Sequence, residues 1–373
     1  NDMYEAVGEE MYAEAREEIL WMMERARERD RYLRAILHQA LAQIQWALED
    51  YDASLKSFEE AVGLDALPDQ THFSLMYQIS QLYYMKQRYR DALDRLELWF
   101  CKSPPEQIKP EAYVLKASIY SQFPDWPEVV KAVDIAIGMA EQPMESWYLL
   151  KLAAHYEMND YPAAGRTLET MIPLWPNKKQ YWTQLSNVHF KLEEDDQALS
   201  VMALAYRNGL LDTQADILYL ANLYAFREVP LKAAQVLQGG LDGNIVEPSE
   251  KHWTMAGDSW YAAEELEEAL AAYENAGKVA LDGDIDLRRG YILIDLERWD
   301  EARTALRAAV DKGGISERKM GDAYLMIGMS EFNLGNFDQA STAWGRASRY
   351  PRAKAAAEQW MNHLREERAR RAS

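Results

Sequence analysis

The sequence predicts an all-α solenoid of about nine helix hairpins, with a single helix at each end. Three observations carry this. Residue types recur every 36 residues or so along most of the 373-residue chain. Each period holds two stretches with apolar residues at helical spacing, separated by a turn. A single hairpin of this kind cannot bury both of its faces, so it needs a copy of itself on either side.

The stretch from Ser316 to Pro351 shows the unit most clearly. Tyr324, Ile327, Gly328 and Leu334 fall on one face of a first helix, which Gly335-Asn336 breaks. Asn336 is placed to cap the next helix, with Gln339 three residues on in capping-box position. Phe337, Ala340, Trp344 and Ala347 form the inner stripe of the second helix, and Pro351 stops it. Small residues at Gly328 and Ala340 are expected to let the two backbones approach, with Tyr324 and Trp344 on either side.

The other elements follow in order. Asp2 to about Asp30 reads as an amphipathic packing helix with Tyr4, Val7, Met11, Ala15, Ile19 and Met22 on its inner face. The small position of Ala340 then recurs at Ser54, Ala92, Val129, Ala164, Ala198, Ala233, Ala269 and Ala302. Three residues before it stands an aromatic in most copies: Tyr51, Tyr89, Trp126, Tyr161, Trp299 and Phe337. Lys116 and Lys151 occupy slots where leucine is usual, and the sixth copy carries Pro230 and Gly240. Longer loops around Ala66–Gln70, Lys102–Pro110 and Asp242–Glu250 mark expected seams rather than domain boundaries. A last helix from Ala353 presents Ala357, Trp360, Met361 and Leu364 as a lid with a polar outer face. The organisation is thus 1–30 packing helix, 31–351 repeat array and 352–373 capping helix.

Composition narrows the function. A formal charge of −20 and a pI near 4.8 would repel a phosphate backbone, which argues against nucleic acid and favours a basic partner segment. No apolar run is long enough to span a membrane. The chain opens Asn-Asp-Met without a basic-then-apolar leader, so a processed form or a fragment is expected. Cys101 is the only cysteine, which rules out an intrachain disulfide.

Chemistry-bearing motifs are few. None of the six histidines has metal-ligand spacing, and no cofactor is implied. His155 and His189 occupy the slot that Tyr83, Tyr120 and Tyr224 fill in other copies, which reads as packing. Asp282, Asp284 and Asp286 open like a calcium loop, yet Leu287 and Leu293 replace its glycine and closing glutamate, so a solvated turn is expected. Gly239-Gly240 reads as a helix ending, the acids of 193–196 as a solvated turn, and Cys101 as a buried or idle thiol. There is no catalytic constellation, and a non-enzymatic protein is expected.

The remaining candidates are residues the hairpin does not need. Trp46, Tyr84, Tyr156, Phe190, Tyr261 and Phe332 stand four residues past the slot of Gly328. One turn earlier come Gln43, Gln81, Asn187, Asn222 and Asp258. Amides can bond both ways to a peptide backbone, and aromatics give contact area at low entropy cost. A groove for an extended segment is therefore predicted, made of Gln43, Gln81, Tyr84, Tyr156, Asn187, Phe190, Asn222, Asp258 and Tyr261. The alternative is that the aromatics pack between neighbouring helices and the amides are merely exposed, and that reading stays open.

These repeat residues resemble the tetratricopeptide-repeat superfamily, whose unit is about 34 residues. The resemblance implies a right-handed superhelix with a concave binding groove. EAYVLKASIY, ESWYLLKLAAHYEMNDYPAA, YWTQLSNV, YRNGLL, VPLKAAQVLQGGLDGNIVEPSEKHW and SRYPRAKAAAEQWMNHL further resemble the periplasmic repeat proteins encoded beside the TonB–ExbB–ExbD energy-transduction genes of Gram-negative bacteria. That likeness runs from about Asp69 to Leu364. It implies a signal-cleaved periplasmic adaptor whose partner is an extended or helical segment of a TonB-type component. A self-associating oligomer or an envelope assembly chaperone is the alternative.

Overall fold

The structure is a computed structural model that describes residues 2–372, with side chains described for residues 11–370. Among the described residues there are twenty α-helices, one short 3-10 helix (Pro105–Gln107) and no strand. A lone helix, α1 (Asp2–Arg25), is followed by hairpins α2 (Arg31–Ala47) with α3 (Tyr51–Gly63), α4 (Asp69–Met85) with α5 (Tyr89–Lys102), α6 (Pro110–Ser121) with α7 (Trp126–Met139), and α8 (Glu145–Glu157) with α9 (Tyr161–Leu174). Then come α10 (Lys179–Lys191) with α11 (Asp195–Arg207), α12 (Gln214–Phe226) with α13 (Pro230–Asp242), and α14 (Glu250–Ala262) with α15 (Leu266–Val279). The last hairpins are α16 (Asp284–Asp295) with α17 (Trp299–Lys312) and α18 (Glu317–Asn333) with α19 (Phe337–Ala347), before a terminal α20 (Lys354–Ala372). Nine hairpins with a helix at each end match the sequence reading.

The helices gather into two compact units, Asn1–Leu174 and Trp175–Ser373. The division falls in the proline-flanked stretch 173–176.

Each hairpin turns by the same device. Two residues before the second helix stands a residue in the left-handed region: Glu49 (φ 58°), Asn159 (φ 55°), Glu193 (φ 61°), Glu264 (φ 62°) or Gly335 (φ 77°). The next amide donates back to the carbonyl five residues earlier, as Asp50 does to Gln45 (2.8 Å) and Asn336 to Glu331 (2.8 Å). This is the Schellman ending, which satisfies carbonyls that the helix end would orphan. The expected capping box at Asn336 does not form. Its side-chain amide instead donates to Glu331 Oε2 (2.8 Å), a buried carboxylate also held by Arg307 and, at 3.7 Å, by Arg303.

The small second-helix slot is fully buried in all nine copies, from Ser54 to Ala340. The helix crossing, however, pairs different residues from those expected. A Cβ on Gly328 would lie 2.2 Å from Trp344, so the indole itself covers the glycine. The same spacing of sixteen residues sets Gly257 under Tyr273 and Gly290 under Leu306. Large residues on the second helix thus face small ones on the first, and the close packing follows from that match.

At the C-terminal end, Ala353, Ala357 and Leu364 are buried and Trp360 stacks on Trp344 with ring centroids 5.4 Å apart. At the other end, Ala15, Ile19, Met23 and Ala26 are the half-buried residues of the N-terminal segment, while Met11 and Met22 are exposed. The inward stripe is rotated from the one expected; Tyr4 and Val7 lie outside the described side chains.

Candidate partner-binding faces

In the first unit, Gln43 of α2 and Gln81 of α4 come together. Both line a cleft of about 280 Å3 with Trp46, Phe58 and Gln78. Gln81 also borders a second cleft of about 590 Å3, shared with Tyr77, Trp99, Gln70 and Glu106. Burial pushes the Tyr77 phenol up, Glu111 adds to the effect, and a hydrogen bond with Gln81 opposes it. Gln70, Gln78 and Gln107 are amide neighbours that the one-position-per-repeat pattern did not pick out, because they stand on other turns or in the loop before α6.

Tyr84 and Tyr156 are half-buried. Each packs against the aromatic that opens the following helix: Tyr84 on Tyr89 (5.7 Å between centroids) and Tyr156 on Tyr161 (6.4 Å). Trp46 does the same with Tyr51 (5.9 Å), and Phe332 with Phe337 (5.5 Å). These rings therefore belong largely to the turn.

At two hairpins of the second unit the outcome differs. α11 opens with Asp195 and α15 with Leu266, so Phe190 and Tyr261 meet no ring there and stay 50% and 51% exposed. Asn187 of α10, Asn222 of α12 and Asp258 of α14 are exposed at matching slots on successive first helices. Asn187 Oδ1 accepts from the Tyr219 hydroxyl of α12 (3.3 Å). Asp258 accepts from Tyr273 (2.7 Å) and from Arg288 of α16 (2.8 Å). Burial first, then that bond to Asp258, pushes the Tyr273 phenol well above its usual range.

The chemistry-bearing motifs resolve as follows. His155 and His189 sit at the slot of Tyr83, Tyr120 and Tyr224, each accepting the turn's amide bond on its backbone carbonyl. Among the described residues no group of three or more His, Cys, Asp or Glu could hold a metal ion. Asp286 is not in a solvated turn: it is buried and takes the Lys312 ammonium at 2.5 Å. Gly239 and Gly240 lie within α13, where a Cβ on Gly240 would meet Ile217 and Val246. Cys101 is exposed. Glu194 pairs with His189 at 2.7 Å and Asp196 with Arg227 at 2.8 Å. Lys116 and Lys151, odd as core residues, reach Glu97 and Asp134 on the preceding helices at 2.6 Å each.

The fold and its faces define a helix-hairpin repeat protein. The tetratricopeptide-repeat family pattern matches residues 35–66, 254–314 and 287–358, so those stretches carry tetratricopeptide repeats. No curated protein matches it. Among solved structures it is similar to a tetratricopeptide repeat protein from Parabacteroides merdae, at 14% identity and a TM-score of 0.38 over 75% of this chain and 91% of that one. It is also similar to Naa15/Naa10 bound to HypK-THB, at 13% identity and 0.46 over 89% and 55% of the respective chains. A third is YrrB, described as a TPR protein with an unusual peptide-binding site, at 16% identity and 0.37 over 53% and 100%. Tetratricopeptide repeats are generally protein-interaction scaffolds, typically without catalysis.

Proposed function

We propose that this chain is a non-enzymatic adaptor that holds an extended or helical segment of a protein partner against its first-helix faces. The partner is a component of a TonB-type energy-transduction system, and the setting is the periplasm. One observation carries the reading: polar and aromatic side chains that hairpin packing leaves over stand exposed at matching slots, Asn187, Phe190, Asn222 and Tyr261 in the second unit. Gln43 and Gln81, brought to one cleft, extend the same chemistry to the first unit. The choice of TonB-type partner rests on the sequence resemblance, and the acidic balance suits a Lys-rich segment.

The test is binding of purified periplasmic segments of TonB, ExbB and ExbD to the wild type and to Asn187→Ala/Asn222→Ala. Each neutral hydrogen bond contributes about 0.5–1.5 kcal/mol, so the pair should weaken binding by several-fold or more while leaving thermal unfolding in place. Wild-type affinity in the double variant would remove the groove; no binding by any segment would remove the TonB-type partner. A second reading, self-association, is favoured by the exposed Met11, Trp21 and Met22 of α1. Light scattering on a sizing column separates the two.

A further inference from the structure

The hairpin α8–α9 departs from the other eight in a way that makes a site. At the crossing slot, where the others carry Gly, Ala or Ser, it carries Leu152. At the slot where Tyr83 sends its hydroxyl to Glu59 (2.5 Å), it carries the shorter His155. The next hairpin makes the same exchange but repairs it, since Glu194 lies 2.7 Å from His189 Nδ1. The corresponding Asp160 is engaged elsewhere, accepting from the Ala163 amide at 3.1 Å. His155 is only 6% exposed, and its Nδ1 has no hydrogen-bond partner. Such a group costs stability unless something satisfies it.

His155 opens onto a cleft of about 340 Å3 between α7, α8 and α9, within the first unit. Lys151 and Arg166 line it, with Thr170 beside them, while Val130, Ile137 and Ala163 give it an apolar wall. Asp134, also in the wall, neutralises Lys151 at 2.6 Å. No carboxylate among the described residues pairs with Arg166, whose guanidinium presents a planar fork suited to one. Burial, and then Lys151, pushes the imidazole below its usual range, so it stands neutral at pH 7 and adds no charge to the cleft.

We infer that this cleft binds a small monocarboxylate with a short apolar chain, its carboxylate on Arg166, its tail against Val130, Ile137 and Ala163, and the neutral His155 imidazole in the wall beside it. One uncompensated cation matches one negative charge. A dianion such as phosphate would need a second, and a neutral ligand would leave Arg166 unused. The volume is in the range of small-ligand pockets. This site is separate from the proposed partner faces and stands whether or not they do.

The probe is 3-methylbutanoate, titrated into the full chain while the imidazole nitrogens are followed by NMR, with 3-methylbutan-1-ol and inorganic phosphate as controls. A saturable shift of the His155 resonance by the carboxylate alone is expected. Arg166→Ala should weaken it by about tenfold. His155→Tyr, which installs the residue of Tyr83, Tyr120 and Tyr224 and removes the reporting imidazole, is read by calorimetry instead and should abolish binding. No saturable shift, an equal response to the alcohol or to phosphate, or unchanged affinity in Arg166→Ala would overturn the site. Arg166 is exposed, so that variant decides the matter even if His155→Tyr folds poorly.

Discussion

Gly328→Ala adds a single methyl group, and the structure gives that group no room. Its Cβ would stand 2.2 Å from Trp344 Nε1, with Cδ1 at 2.5 Å and Cε2 at 2.6 Å. The indole cannot retreat cheaply. It is fully buried, its N–H donates to the Leu325 carbonyl at 3.1 Å, and Trp360 covers it at 5.4 Å. Overpacking of this kind costs about 1–3 kcal/mol. Alanine in place of glycine inside a helix returns about 1 kcal/mol. The net expectation is a loss of about 0–2 kcal/mol, toward the upper end for an approach of 2.2 Å, with a further share if the indole bond is broken. Gly345 provides the control on the partner helix α19: nothing lies within 4 Å of its Cβ position, so Gly345→Ala should stabilise. In a repeat array a global melting curve dilutes a local effect, so hydrogen exchange of peptides from α18 and α19 is the assay. Faster exchange there in Gly328→Ala, with slower exchange in Gly345→Ala, is expected. Protection in Gly328→Ala equal to or above wild type would refute the crossing geometry.

Two further outcomes follow from the turns. Glu264 holds φ 62° at a Schellman position, where an L side chain costs about 1–2 kcal/mol and glycine costs none. After the entropy that glycine gains in the unfolded chain, Glu264→Gly should still raise the denaturant midpoint by the equivalent of about 0.5–1 kcal/mol; a fall would show that the side chain matters more than the strain. Asp216 closes the capping box of α12 with Thr213 and takes Lys179 at 2.8 Å. Burial pushes this carboxyl up, but the bonds from Lys179 and Thr213 outweigh it and hold it below its usual range. A depressed folded pKa stabilises above the unfolded value, about 3.9, and that stability is lost as pH falls through the folded value. Asp216→Asn should therefore be less stable than wild type at pH 7, by about 1 kcal/mol, with the gap closing below about pH 4 in parallel denaturation curves. A gap that persists in acid would assign the effect to packing.

Periodicity made the fold legible because the residues that carry it are the ones packing cannot vary. Ser54, Ala92, Val129 and their six counterparts are all fully buried, so any larger side chain would have separated the helices. Asn336 was legible only in part. Its residue type suits a cap, but Glu331 offers its amide a buried, charged acceptor, and sequence spacing cannot weigh the two. The ion pairs Lys116–Glu97 and Lys151–Asp134 were hidden for a related reason. Each links helices of neighbouring hairpins, and a repeat alignment registers the lysine only as a departure from leucine.

The candidate faces show how a slot of constant position changes its work. The residue five before each second helix is aromatic in six of nine copies, yet its exposure depends on what opens that helix. Where Tyr51, Tyr89, Tyr161 or Phe337 stands there, the ring is drawn into the turn by an aromatic contact. Such a pair contributes about 0.5–1.5 kcal/mol beyond the area it buries, enough to hold the ring away from a partner. Where the helix opens with Asp195 or Leu266, that contact is missing, and Phe190 and Tyr261 remain about half exposed beside Asn187 and Asp258. A single substitution at the opening residue thus converts a packing aromatic into a surface one without disturbing the hairpin. The repeat keeps its core slots fixed, and its binding chemistry is written in the one position that the turn either claims or releases.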